Sequence, residues 1–330
     1  MAGGRERILR RRIRSIQSTQ KITRAQELIA ASRIARAQAQ VAASQPYSDA
    51  ITQVVTDLAA GGGAVDSPLL VPRPEIRRVA HIVITADRGL AGAYNSSVIR
   101  AAERAIQEDL ARGRDYSLVI AGRKGESYFR YRDYRIDAVF TGFSDRPMYE
   151  NARDVGAAAT AAFLAGDTDL VEIVYTRFMS AGTQVVERLP LIPLAPGAIG
   201  DAIGDEAGVR AAFEFEPSPE EILDLLLPRY VDARVYVAML NAAASEHAAR
   251  QRAMKSATDN AEELITNLTR VMNRARQDAI TTEIMEIVGG AEALRTANEK
   301  IEPQHAEHYV PQSLPTERGF FDPRRTPIES

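Results

Sequence analysis

Met254–Leu294, MKSATDNAEELITNLTRVMNRARQDAITTEIMEIVGGAEAL, is the stretch whose reading decides the fold. It contains no proline, and its glycines are confined to Gly289 and Gly290, where the pattern predicts that a helix stops. Apolar residues recur at Ala261, Ile265, Leu268, Met272, Ala275 and Ala279, in alternating steps of four and three. That spacing is a coiled-coil seam, narrower than the apolar face of a globular helix. Small residues dominate the seam, so a partner helix must approach closely. Lys255, Asp259, Glu262, Arg270, Arg274 and Glu286 lie between the seam positions and make the rest of the rod polar.

A second rod of the same kind occupies the other end of the chain. Leu9, Ile13, Ile16, Gln20, Thr23, Glu27, Ala30, Ile34, Ala37 and Val41 follow the same four-three rhythm. Gln20, Thr23 and Glu27 weaken that seam in its middle third, and the natural complement is the C-terminal rod. The pattern therefore predicts an antiparallel pair, closed through whatever lies between. Arg5, Arg7, Arg10, Arg11, Arg12 and Arg14 crowd the start of the first rod; a solvated basic face, an acidic protein partner and nucleic acid are the readings of such a run.

Between the rods the texture changes. Gly61–Gly63 and the prolines at 68, 72 and 74 read as a linker. Strands are predicted at Arg78–Thr85, Tyr116–Ala121, Val171–Phe178 and Thr183–Leu191, the last two as a hairpin, with covering helices at Ser97–Ala111 and Val155–Ala165. This alternation describes a Rossmann-like α/β insert, mostly parallel with an antiparallel addition. Ser218, Pro219 and Glu221 then mark a helix start, and Pro228 predicts a kink or restart soon after. The expected layout is a coiled-coil helix over 1–62, the insert with its linkers over 63–213, the second coiled-coil helix over 214–294 and a proline-rich, disordered extension over 295–330.

Catalysis finds little support. Gly89 and Gly92, then Gly122 and Gly125, each stand between a strand and a helix, yet neither pair has P-loop or dinucleotide spacing. Tight strand-to-helix turns account for them. Asp87-Arg88 beside the first loop reads as an ion pair or a docking element. His81 reads as a core histidine, His247 lies on the rod, and His305 and His308 fall in the tail; no nucleophile–base set or metal set emerges, and no catalytic, cofactor or metal residue is assigned. The 330 residues are 45% hydrophobic and 26% charged with net charge −3, and contain no cysteine, which removes disulfides and thiolate chemistry. Without a long apolar run or a signal-like start, the expected location is the cytosol, or the cytosolic side of a membrane complex. A nucleotide-binding enzyme with helical arms and a basic nucleic-acid scaffold are the rival readings, disfavoured by the glycine spacings and by the net acidity.

Five blocks, in order, resemble the gamma subunit family of F-type ATP synthases: STQKITRAQELIAASRIARAQ from Ser18, ADRGLAGAYN from Ala86, GRKG from Gly122, FEPSPEEILDLLLPRY from Phe215, and AMKSATDNA…NRARQDAITTEIMEIVGGA from Ala253. The resemblance implies a non-catalytic central stalk that rotates inside a hexameric ring of alpha and beta subunits, with the epsilon subunit and c-ring at its foot and no cofactor. It places this chain on the cytoplasmic face of the cell membrane as a peripheral part of the complex. By the same resemblance Arg276, Gln277, Thr281 and Glu283, with Lys21, Arg24 and Gln26, contact beta. Ile284, Ile287 and Val288 form an apolar tip in the ring's collar, unless they are ordinary coiled-coil core; Phe215 and Glu216 belong to the foot. Gln26 stands where the family usually carries methionine, and the residues after Leu294 exceed the usual end.

Overall fold

The computed structural model describes residues 2–60, 67–194 and 219–299. Phe215 and Glu216, Ser218, the Gly61–Gly63 linker and the tail from 300 onward lie outside them. The order is α1 (Ala2–Ala60), β1 (Arg78–Ile84), α2 (Tyr94–Ala111), β2 (Asp115–Ala121), α3 (Arg123–Tyr131), β3 (Ala138–Phe140), α4 (Tyr149–Leu164), β4 (Leu170–Phe178), β5 (Gln184–Ile192) and α5 (Pro219–Glu299). Two compact units divide the chain: residues 11–268 form one, and residues 2–10 with 269–299 form the other.

In the larger unit the strands form one sheet in the order β3-β2-β1-β4-β5, parallel except for β5, which returns antiparallel along β4. The expected hairpin is present. β3 was not predicted, because its three half-buried residues, Ala138-Val139-Phe140, are too few to display an alternation. β1 is buried along almost its whole length, the texture of a central parallel strand covered on both faces. On one face Val83, Leu118, Ile120 and Val174 pack with α2 and with Phe129 of α3. On the other, Ala80, Ile82, Ile84 and Ile173 pack with Ala152, Val155 and Phe163 of α4, and with Val235, Ala238 and Met239 of α5. The sheet thus lies directly on the C-terminal rod through an apolar layer.

The rods pair within the larger unit. Thr23 of α1 meets Thr258 of α5, hydroxyl to hydroxyl at 2.8 Å. Farther along α1, Ile51, Val55 and Leu58 share a core with Leu223, Leu227 and Tyr230 of α5. Advancing along one helix means retreating along the other, so the pair is antiparallel. Within this unit each predicted seam position of α1 from Ile13 to Val41 is buried or half-buried. The polar middle third is satisfied locally: Thr23 also donates to the Gln20 carbonyl at 3.0 Å, and Glu27 pairs with Arg24 at 3.0 Å.

Two expectations need correction. The helix does not stop at Gly289-Gly290 but continues to Glu299, so residues 295–299 are helical. Neither glycine meets a neighbouring atom where its Cβ would stand, and the local cost of glycine, about 1 kcal/mol each, is small beside the run of good helix formers around the pair. Of the kink or restart expected at Pro228, the restart does not occur: α5 includes the proline, anchored on both sides by buried Leu223, Leu227, Tyr230 and Val231. Tertiary packing outweighs the missing amide at that point.

Candidate functional sites

The second glycine loop, at Gly122 and Gly125, is closed by the protein's own atoms. Gly122 has φ +110, and a Cβ there would lie 2.1 Å from the Thr85 carbonyl oxygen; one at Gly125 would lie 2.8 Å from Thr85 Oγ1. The glycines let β1 and the start of α3 touch. The amides at that helix start are all engaged: Arg123 N donates to Asp87 Oδ1 at 3.0 Å, Lys124 N to the Ala86 carbonyl at 2.9 Å, and Gly125 N to Thr85 Oγ1 at 2.9 Å. Asp87 also accepts from Gly142 N at 2.8 Å and Ser144 N at 3.0 Å. A carboxylate of the chain therefore fills the place where a nucleotide phosphate would need those donors. Asp87 is a brace between two loops, while Arg88 reaches Asp145 at 3.5 Å.

His81 is more elaborately held than a lone core histidine. It is fully buried, with Nε2 at 3.1 Å from Asp109 Oδ2 and Nδ1 at 3.6 Å from Glu172 Oε2. These three are the only group among the described residues with metal-ligand proximity. Arg188 already bridges both carboxylates, bonding Glu172 and lying 3.7 Å from Asp109, and Arg114 reaches Asp109 at 3.4 Å. Burial would push the Asp109 carboxyl up, but His81, Arg188 and Arg114 together hold it below the usual range. The positive charge a metal would bring is supplied by guanidinium groups. The carboxylates were invisible as a set in the sequence, because β1, α2 and β4 bring them together from distant positions.

The proposed contact residues lie in two places. Lys21, Arg24 and Gln26 lie within about one and a half turns of α1 in the larger unit, with Lys21 and Arg24 exposed and Gln26 half-buried. Arg276, Gln277, Thr281, Glu283, Ile284, Ile287 and Val288 lie on α5 in the smaller unit, all exposed. At 3.6 residues per turn these seven, with Ile280, fit within one half of the helix circumference. The centre of that apolar face lies roughly 130° round from the Met272, Ala275 and Ala279 seam. Ile284, Ile287 and Val288 remain 54%, 66% and 59% exposed, so they are not seam residues of the pair. Every described residue from Ile280 to Ala297 is exposed. The arginines from Arg5 to Arg14 are exposed as well, with Arg10 paired to Glu6 at 2.5 Å.

A long antiparallel helical pair carrying an α/β insert, with charged and apolar side chains bared on one rod and the Gly122–Gly125 loop filled by the chain's own groups, defines a stalk class of protein. The family profile described as ATP synthase matches residues 5–294. The ATP synthase gamma chain of Frankia casuarinae is 51% identical over 295 residues, covering 88% of this chain and 98% of its own; that of Acidothermus cellulolyticus is 50% identical over 297 residues with the same coverage. Among solved structures, the chain is similar in fold to one in the Euglena gracilis mitochondrial ATP synthase OSCP/F1/c-ring assembly, at TM-score 0.61 and 17% identity, covering 93% of this chain and all of that one. A chain of the Tetrahymena thermophila central stalk/c-ring structure matches at TM-score 0.56 and 21% identity, covering 72% and 99%. The chain belongs to the ATP synthase gamma chain family.

Proposed function

We propose that this chain is the rotating central shaft of an F-type ATP synthase. It couples proton flow to ATP synthesis, or ATP hydrolysis to pumping, without a reacting group of its own. The observation that carries this reading is the bared half of α5 from Arg276 to Val288, exposed on a helix of a family whose relatives are ATP synthase gamma chains. Unpartnered Ile284, Ile287 and Val288 suit a collar formed by the alpha and beta subunits, and exposed Arg276 suits bidentate donation to a carboxylate loop of beta. Gln277, Thr281 and Glu283 extend that contact, and Lys21, Arg24 and Gln26 of α1 offer a second one. Phe215 and Glu216 are assigned to the foot facing epsilon and the c-ring. No described helix is long and apolar enough to cross a membrane, which agrees with peripheral attachment at the cytoplasmic face.

Coupling then follows from asymmetry. One shaft in a ring of repeated subunits presents a different face to each beta, favours a different open or closed state in each, and exchanges those states on turning. Reconstitution with alpha and beta and imaging of the particles tests the reading: one copy inside each ring, with ATP turnover absent from the isolated chain, is expected. In that assembly Arg276→Ala is expected to slow hydrolysis by about tenfold, the loss of one charge-assisted contact. A chain left outside the ring, or one that turns over ATP alone, removes the proposal.

A further inference from the structure

At the open ends of β1 and β3, two loops of the insert meet both rods around one carboxylate. Asp145, in the loop after β3, accepts from Arg33 Nη1 of α1 at 2.6 Å and faces Arg88 Nη1 of the β1–α2 loop at 3.5 Å, both through Oδ2. Its other oxygen, Oδ1, has no hydrogen bond and lies 3.8 Å from Arg250 Nη1 of α5. The Asp145 backbone carbonyl accepts from His247 Nε2 of α5 at 3.2 Å. Arg250 in turn donates to the Gly89 carbonyl at 3.3 and 3.4 Å, and pairs with buried Glu246 one turn earlier on α5. Three elements thus converge on a single half-buried side chain through their arginines.

We infer that Asp145 is a positioning residue that clamps the insert to both rods, so that the α/β domain and the helical pair turn as one body. The inference rests on the shaft reading above. The apolar layer between the sheet and α5 resists separation, but hydrophobic contact is non-directional and does not by itself single out one register. Charge-assisted hydrogen bonds are directional, and here they fix register against two helices at once. Arg33 is the contact that brings α1 into the clamp; on α5 the fastening is reinforced away from Asp145, where Ser245 donates to the Thr176 carbonyl at 3.2 Å and Asn241 accepts from Phe178 N at 3.3 Å. Removing the Asp145 charge therefore loosens the insert about α1 while leaving the apolar layer and these α5 bonds in place.

The cysteine-free chain makes the test direct. Tyr131→Cys, at a residue 85% exposed on α3, gives one attachment point for a bead on the insert, with the ring of alpha and beta subunits fixed to a surface. ATP-driven rotation is followed, and the angular width of each pause reports the stiffness between insert and ring. Asp145→Asn is expected to broaden the pauses by about 1.5-fold or more, and Asp145→Glu to restore them, because only the charged side chain rebuilds the clamp. Pauses of unchanged width in Asp145→Asn overturn the clamp and leave the shaft intact. A Tyr131→Cys chain that assembles but never rotates overturns the shaft reading and the clamp with it. If Asp145→Asn fails to assemble, Arg33→Gln, which removes the α1 side of the same ion pair, replaces it; broadening supports the clamp, and none overturns it.

Discussion

Glu246 and Gly122 carry the sharpest consequences at the scale of single residues. Glu246 is fully buried in α5; burial pushes its carboxyl up to about 7, with Arg250 pulling the other way. Because the folded value lies above the ordinary 4.5, the native state keeps a proton that the unfolded chain releases between those limits. Glu246's contribution to stability is therefore largest below that window and falls as pH rises through about 7. Glu246→Gln is expected to flatten this fall, by on the order of 2 kcal/mol between about pH 5 and about pH 8, in urea titrations at the two pH values. Gly122 answers a steric demand: its positive φ and the Thr85 carbonyl leave no room for a side chain. Gly122→Ala is expected to cost about 3 kcal/mol or more, read as a fall in the urea midpoint at unchanged slope.

Among the elements, the helical pair shows how a polar seam is made stable. Thr23 and Thr258 bond each other, and the hydroxyl that accepts this bond gives its own proton to a carbonyl of its helix, Gln20 for Thr23 or, at 2.9 Å, Met254 for Thr258. Thr23→Val leaves the partner hydroxyl one bond short and is expected to cost about 1 kcal/mol. The double change Thr23→Val with Thr258→Val replaces both hydroxyls by methyl groups of similar volume and should cost less than the sum of the singles, a coupling that a double-mutant cycle measures. The four-three rhythm made this seam legible in advance, including its weak middle. The span of α5 beyond Gly289 and across Pro228 was not legible, because glycine and proline report only local cost, whereas Leu223 and Leu227 are held by a core assembled from α1 and α4.

For the whole molecule, the division into two units predicts two rates of opening. Sheet and rods in residues 11–268 share continuous apolar cores, whereas residues 280–297 of α5 have every described side chain exposed. In the isolated chain, backbone amides of 280–297 are expected to exchange with solvent orders of magnitude faster than those of β1 and β4, and to become protected on assembly with alpha and beta. Continued rapid exchange in the assembled ring would remove the collar role of Ile284, Ile287 and Val288. The same exposure separates these residues from the coiled-coil seam, a distinction that periodicity left open.

The sequence by itself determined the two rods, the α/β insert between them, and the family, through periodicity, strand texture and five ordered blocks. These are local signals, carried by residues close in the chain. Only the tertiary structure decided that the Gly122–Gly125 loop is filled by Asp87 and Thr85, that His81 sits in a carboxylate–arginine network, and that Asp145 gathers Arg33, Arg88 and Arg250. Directly bonded partners among them lie as many as 112 positions apart in the chain, for Arg33 and Asp145. Their charges meet because the strand ends and both helices converge there, and no spacing along the chain records that convergence.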